Sequence, residues 1–164
     1  MRLEKFIEAS MKIRITVGAN EQLSGYVNID PISKFNGLAI DIRDLSEVVE
    51  NSECREILAE DVIDFLEKKE SFTVISNWIS KLRHGGKIII TSVDAHVTSG
   101  LLYKGKIELS TFNKLIHGDF TAPWDVKLSH TTIEEMSSFL ISQGLVINKK
   151  RQNGPNMIIE AERP

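Results

Sequence analysis

The chain's 164 residues, 41% of them hydrophobic and 26% charged, fit one compact domain with a sizeable core and exclude a disordered or fibrous chain. A formal net charge of −3 supplies no global basic field for a polyanion, so a dedicated nucleic-acid binder is not expected. Cys54 is the only cysteine, which excludes an intramolecular disulfide and any multi-cysteine metal centre and suits a reducing, cytoplasmic setting.

The opening residues MRLEKFIEASMKI are interrupted by Glu4, Lys5 and Glu8, so they lack the apolar core of a secretion signal. Nowhere is there an apolar run long enough to span a bilayer, and no membrane contact is expected. Leu3, Phe6 and Ile7 fall at helical spacing and predict a short amphipathic helix over Met1–Ser10 that covers an edge or face of a sheet. An apolar helix on so small a domain also suits a homodimer.

Ile13, Ile15 and Val17 form a short β-rich run that Gly18 ends, and Tyr26–Ile29 reads as a second strand ending at Asp30. Ligands of open α/β sheets bind beyond the carboxyl ends of the strands, where an acidic residue after the second strand can accept hydrogen bonds from ribose hydroxyls. Gly18 and Asp30 equally suit plain turns, and both readings stay open on this stretch alone. Gly37–Ile40 predicts a third strand followed by Asp41, and Asp44–Asn51 a helical turn or two. Cys54–Ala59 predicts a fourth strand that runs into Glu60 and Asp61, and Cys54 is expected to pack inside it.

Phe72, Ile75, Ile79 and Leu82 share one helical face, which predicts a helix over Ser71–Leu82 stopped by His84-Gly85-Gly86. Lys87–Val93 is apolar enough for a central strand buried on both faces. From Asp94 to Ser129 the periodicity weakens apart from a helix around Leu109–Ile116, and long irregular segments of this kind often form binding loops. Thr131 and Glu134 have the capping-box spacing before a helix that carries Ile133, Met136, Phe139 and Leu140 and stops at Gly144. Leu145–Ile147 and Met157–Ile159 flank Asn153-Gly154-Pro155-Asn156 and predict a closing antiparallel hairpin. The alternation implies a single α/β domain over residues 1–164, doubly wound around a mostly parallel seven-stranded sheet with that hairpin at its edge.

VGANEQLSGYVNID, AIDIRDL, ILAEDVIDFL and LRHGGKIIITSVD occur in the order and at roughly the spacing of class I S-adenosylmethionine-dependent methyltransferases, which the chain resembles from about Lys12 to Val93. The resemblance implies a Rossmann-like fold, methyl transfer to a small acceptor and S-adenosyl-L-methionine as cofactor. It implies that Val17, Gly18 and Ala19 form the loop against which the methionyl part lies, that Asp30 binds the ribose, and that Asp41 and Ile42 sit by the adenine. Glu60 and Asp61 would stand at the mouth of the site. The cofactor has no pyrophosphate, so no phosphate-cradling glycine fingerprint is needed, and acidic residues suit its cationic groups.

The chain departs from the family pattern at Ala19-Asn20, where a second glycine is usual, and at Asp64-Phe65, where a Glu-His pair is usual. Asp61 and His84 stand where His and Pro are usual. These departures motivate an alternative, a catalytically degenerate methyltransferase-like binding or assembly module. A nicotinamide-dependent enzyme is disfavoured because no G-x-G-x-x-G follows the first strand.

Methyl transfer asks the protein mainly to hold nucleophile and methyl group in line, with a general base only if the nucleophile arrives protonated. Asp61, Asp94 and His96 are the catalytic candidates, although one His after a strand reads more readily as a solvated loop residue. His96, His117 and His130 show no recognised ligand spacing, and no metal is expected. Tyr103, Phe120 and Trp124 are read either as walls of a substrate pocket or as satellite core. Ser24 and Ser92 lack a neighbouring His–Asp arrangement, and Lys149-Lys150-Arg151 reads as a solvated hairpin edge.

Overall fold

The computed structural model describes residues 11–35 and 37–164, so the helix expected over Met1–Ser10 lies outside the described residues. In chain order the elements are β1 (Lys12–Ile15), β2 (Val27–Ile29), β3 (Cys54–Glu60), α1 (Lys68–Lys81), β4 (Leu82–Val93), α2 (Ala95–Tyr103), α3 (Leu109–His117), α4 (Ile133–Ser142), β5 (Val146–Asn153) and β6 (Asn156–Glu162). They build a six-stranded sheet in the order β2-β1-β3-β4-β6-β5. The first four strands in that order are parallel, and β6 joins β4 and β5 in antiparallel fashion.

Alternating apolar residues set the register. Ile13, Ile57, Ile88 and Ala161 lie side by side across four strands, and Ile15, Ala59, Ile90 and Ile159 make the next row; all eight are fully buried. Val74, Ile75 and Trp78 of α1 and Met136 and Leu140 of α4 join the same core. The rings of Phe72 and Phe139 stack 4.2 Å apart and tie the two helices together. Burying these rows is the main driving force for the fold.

The opposite face of the sheet is charged. Lys12, Glu56, Lys87, Glu160 and Lys149 form a ladder of ion pairs with separations between 3.7 and 3.9 Å. Tyr26 donates its hydroxyl to Glu56, and burial together with that carboxylate pushes the phenol up to about 12. The central strand β4 is therefore buried on one face only: Ile88, Ile90 and Ser92 are buried, while Lys87, Ile89 and Thr91 are half-buried.

Three further expectations are corrected. The third strand expected at Gly37–Ile40 is a single parallel bridge between Ile29 and Leu38, so six strands rather than seven are found among the described residues. The chain leaves β2 again at once because Asp41 turns back on itself, accepting from the backbone N–H of Arg43. Helix α1 ends at Lys81 and passes directly into β4, and His84-Gly85-Gly86 instead makes a bulge between Leu82, opposite Cys54, and Lys87, opposite Glu56. A Cβ at Gly86 would meet the Cys54 carbonyl at 2.8 Å, which is why this bulge needs glycine. The cap of α4 is Thr132, which accepts from the N–H of Glu135, one residue later than the Thr131–Glu134 spacing suggests. Cys54 packs inside β3 as expected, and burial raises its thiol to about 11.

Trp78 joins this core to the loop after Leu38: its fully buried indole N–H donates to the Ile42 carbonyl at 2.7 Å. Trp78→Phe keeps the apolar bulk but leaves a buried carbonyl without its partner. It is expected to lower the unfolding free energy by about 1–3 kcal/mol, read from the urea midpoint.

Candidate active site

The loops at the carboxyl ends of β1, β2 and β3 enclose a cleft of about 620 Å³, large enough for a nucleoside or a small cofactor. Val17 comes from the loop after β1, Ile32 and Ala39–Arg43 from the segment after β2, and Phe65 from a single 3-10 turn at Ile63–Phe65. Trp124 reaches in from the segment between α3 and α4. The walls are largely apolar, with charge at the rim. There Arg43 pairs with Asp41 at 2.7 Å, and the guanidinium holds that carboxyl below its ordinary value.

Val17, Asp41 and Ile42, three of the residues implied for the cofactor, line this cleft together. Asp30 does not. It is fully buried, with Oδ1 accepting from the N–H groups of Gly18 (3.0 Å), Ile32 (2.9 Å) and Ser33 (3.2 Å), and Oδ2 from Ala19 N–H (2.9 Å) and Thr16 Oγ (2.9 Å). Burial pulls its pKa upward, but these donors outweigh it and hold the carboxyl below its ordinary value. With every lone pair engaged, Asp30 clamps the loop after β1 to the loop after β2 instead of facing a ribose.

Gly18 has φ +71° and lies beneath the indole of Trp124; a Cβ built on it would meet that ring at 2.1 Å. Gly18 thus serves a close approach, as its place at the end of β1 suggests, but the group that approaches is a side chain of the protein. Ala19 spends its N–H on Asp30. Glu60 points to the charged face, bound through both oxygens to Arg14 at 2.9 and 3.2 Å.

The catalytic candidates do not converge on the cleft. Asp61 is exposed at φ +52° and accepts from Thr91 Oγ at 3.1 Å. Asp94 is buried: it caps α2 through Val97 N–H (3.0 Å) and also accepts from Ile133 N–H (2.9 Å) and Gln152 Nε2 (2.8 Å). Burial pulls its pKa up, yet these bonds win and lower it. His96 is exposed on the first turn of α2, a helix absent from the sequence expectation. Tyr103 and Phe120 are exposed, at 91% and 64%, and of the three aromatic candidates only Trp124 lines the cleft. Arg43, Phe65 and Ile40 also line the cleft without having been expected there; AIDIRDL and the turn after Asp61 were the available signals. Among the described residues, no group of three or more His, Cys, Asp or Glu could hold a metal ion, and no helix is long and apolar enough to cross a membrane.

A second acidic centre lies behind Phe65. Asp64 is buried, accepts from Ser92 Oγ at 2.8 Å, and has Lys127 Nζ at 3.5 Å and His130 Nδ1 at 3.6 Å. Burial outweighs these partners and raises its pKa.

No protein-family model and no curated protein matches the chain. Solved structures do. A methyltransferase dependent on S-adenosylmethionine from Archaeoglobus fulgidus shares 13% identity over 99% of this chain and 90% of its own, with a TM-score of 0.60. One from Methanosarcina mazei shares 12% over 98% and 96%, at 0.59. The 1,6-didemethyltoxoflavin-N1-methyltransferase of Burkholderia thailandensis, solved with 1,6-didemethyltoxoflavin and S-adenosylhomocysteine bound, shares 8% over 94% and 71%, at 0.58. The fold is that of the class I S-adenosylmethionine-dependent methyltransferases.

Because its folded-state pKa is depressed from 3.8, Asp30 contributes stability that is present above the unfolded value and is lost as the pH falls through the folded value. Asp30→Asn is expected to cost about 2–3 kcal/mol at neutral pH. It should also flatten the fall in stability below roughly pH 5, measured by urea titration across the acid range.

Proposed function

We propose that the cleft at the carboxyl ends of β1 and β2 is an adenosyl-binding site, and that the chain is an S-adenosylmethionine-dependent methyltransferase for a small acceptor. The observation that carries this reading is the convergence of Val17, Asp41 and Ile42 on one cleft in a methyltransferase fold. They meet where open α/β sheets bind ligands. The nucleoside half of the cofactor suits the residues present. Ile32, Ile40 and Ile42 offer apolar walls to a planar base, and the exposed, ionised Asp41 offers acceptors to its polar edge or to the sugar.

When bound, S-adenosylmethionine supplies a methyl group already activated by its sulfonium, so the protein's part is to position it and to exclude water. The methionyl half does not suit the residues as they stand: Trp124 covers Gly18, and Asp30 takes up the N–H groups of Gly18 and Ala19. That disagreement also favours a second reading, a methyltransferase-like binding module that takes a nucleoside without turning it over. With Asp94 engaged in the fold, Asp61 and His96 stay proposals for the acceptor side.

Titration calorimetry with S-adenosylmethionine and S-adenosylhomocysteine up to millimolar concentration tests the reading directly. Heat of binding is expected from both, and it should vanish in Ala39→Trp, which fills the cleft from an exposed position without touching the core. No heat and no thermal shift from either compound would sink the methyltransferase reading, and failure of adenosine to bind as well would sink the binding module. Turnover on an acceptor panel separates the enzyme from the binding module.

A further inference from the structure

We infer that Trp124 occupies the part of the cleft that the methyltransferase resemblance gives to the methionyl chain, so that the protein as folded favours nucleosides without an amino-acid tail. This rests on the adenosyl reading of the cleft and sharpens it. The primary observation is steric: the space above Gly18 is filled by the Trp124 ring so closely that even a methyl group there would overlap it at 2.1 Å.

The indole is held there from several directions. Lys34 Nζ lies 5.1 Å from its ring centroid, and the Phe65 ring packs at 6.2 Å with a 57° tilt. Its backbone is held as firmly. Asp125, next in the chain and buried, accepts from Thr121 Oγ at 2.8 Å and from the Thr121 and Asp119 N–H groups, which closes a tight turn under the tryptophan. The segment after it is anchored to the 3-10 turn: Leu128 N–H donates to the Asp64 carbonyl at 2.8 Å, and Ser129 Oγ donates to the Leu66 carbonyl at 2.7 Å.

A second, independent observation points the same way. Backbone N–H groups at the end of β1 could receive the carboxylate of an amino-acid ligand, but those of Gly18 and Ala19 are both directed at Asp30. Over Gly18 the loop therefore offers a methionyl chain no room, and the N–H groups of Gly18 and Ala19 are already taken. At the other end of the cleft Ala39 and Asp41 are exposed, which leaves that end open to a nucleoside. A full-length cofactor has to move the indole off Gly18 and give up its contacts with Lys34 and Phe65, and its apparent affinity falls by the cost of that rearrangement.

The test is titration calorimetry of the intact chain with adenosine, 5′-methylthioadenosine and S-adenosylhomocysteine, which share a nucleoside and differ in the tail. The two tail-free nucleosides are expected to bind about ten-fold or more tightly than S-adenosylhomocysteine. Trp124→Ala should raise affinity for S-adenosylhomocysteine by about ten-fold and change that for adenosine by less than about three-fold. Acrylamide quenching of the wild type gives a readout that does not depend on the variant folding. Trp78 is fully buried, so quenching reports Trp124, and it should rise when S-adenosylhomocysteine binds but not when adenosine does. Wild-type protein that binds S-adenosylhomocysteine as tightly as adenosine, with quenching unchanged, would overturn the inference and leave the adenosyl site standing. Failure of all three compounds to bind would overturn the adenosyl reading itself and the inference with it.

Discussion

The site end of this molecule depends on one buried carboxylate. Asp30 gathers donors from Thr16, Gly18 and Ala19 on one side and from Ile32 and Ser33 on the other, and so fastens together two loops that the sheet brings to its rim but does not itself connect. A buried anion is tolerable only when its lone pairs are satisfied, and here backbone N–H groups do most of that work. The consequence is geometric. Gly18 is held at a positive φ with its Cα turned to the cleft, and a flat aromatic group can lie on it.

Trp124 is that group, and its position is an outcome of two further acids. Asp125 folds the turn that carries it, and Asp64, through Lys127, His130 and its own backbone carbonyl, moors the same segment to the end of β3. Asp94 acts similarly on the far side of the sheet, where it joins the end of β4 to the first turns of α2 and α4 and to β5. Four aspartates thus serve as fasteners, three of them at or just past strand ends and Asp125 in the segment between α3 and α4. This use of carboxylates follows from the topology: parallel strands all end at one rim, their loops present N–H groups that no sheet ladder satisfies, and an Asp side chain is short enough to reach them. Asp41 differs. It is exposed, and its partner Arg43 is exposed as well.

Much of the frame was legible from local pattern. Short apolar, β-rich runs identified β1, β3 and β4, the spacing of Ile75 and Ile79 identified α1, and Asn153-Gly154 marked the hairpin, because each signal lies within a few residues of what it specifies. Gly37–Ile40 misled for the complementary reason: it has the composition of a strand, but a strand exists only as far as a neighbour pairs with it, and here one residue does. Helix α2 was invisible because AHVTSGLLY has no clear polar and apolar faces, and its main start signal is a cap, Asp94, that also reads as a strand-end carboxylate.

The site divides along the same line. By itself the sequence determined that acids cluster at strand ends in a methyltransferase-like order; it left Gly18 between a plain turn and a place of close approach, and it set Val17, Asp41 and Ile42 beside one cofactor only through the family resemblance. Only the tertiary structure decided which acids face outward. Glu60 meets Arg14, Asp94 meets Ile133 and Gln152, and Trp124 meets Gly18 across separations in the chain that no local pattern encodes. A carboxylate's role is set by whichever donors reach it first, and in the folded chain most of those donors come from elsewhere in the sequence.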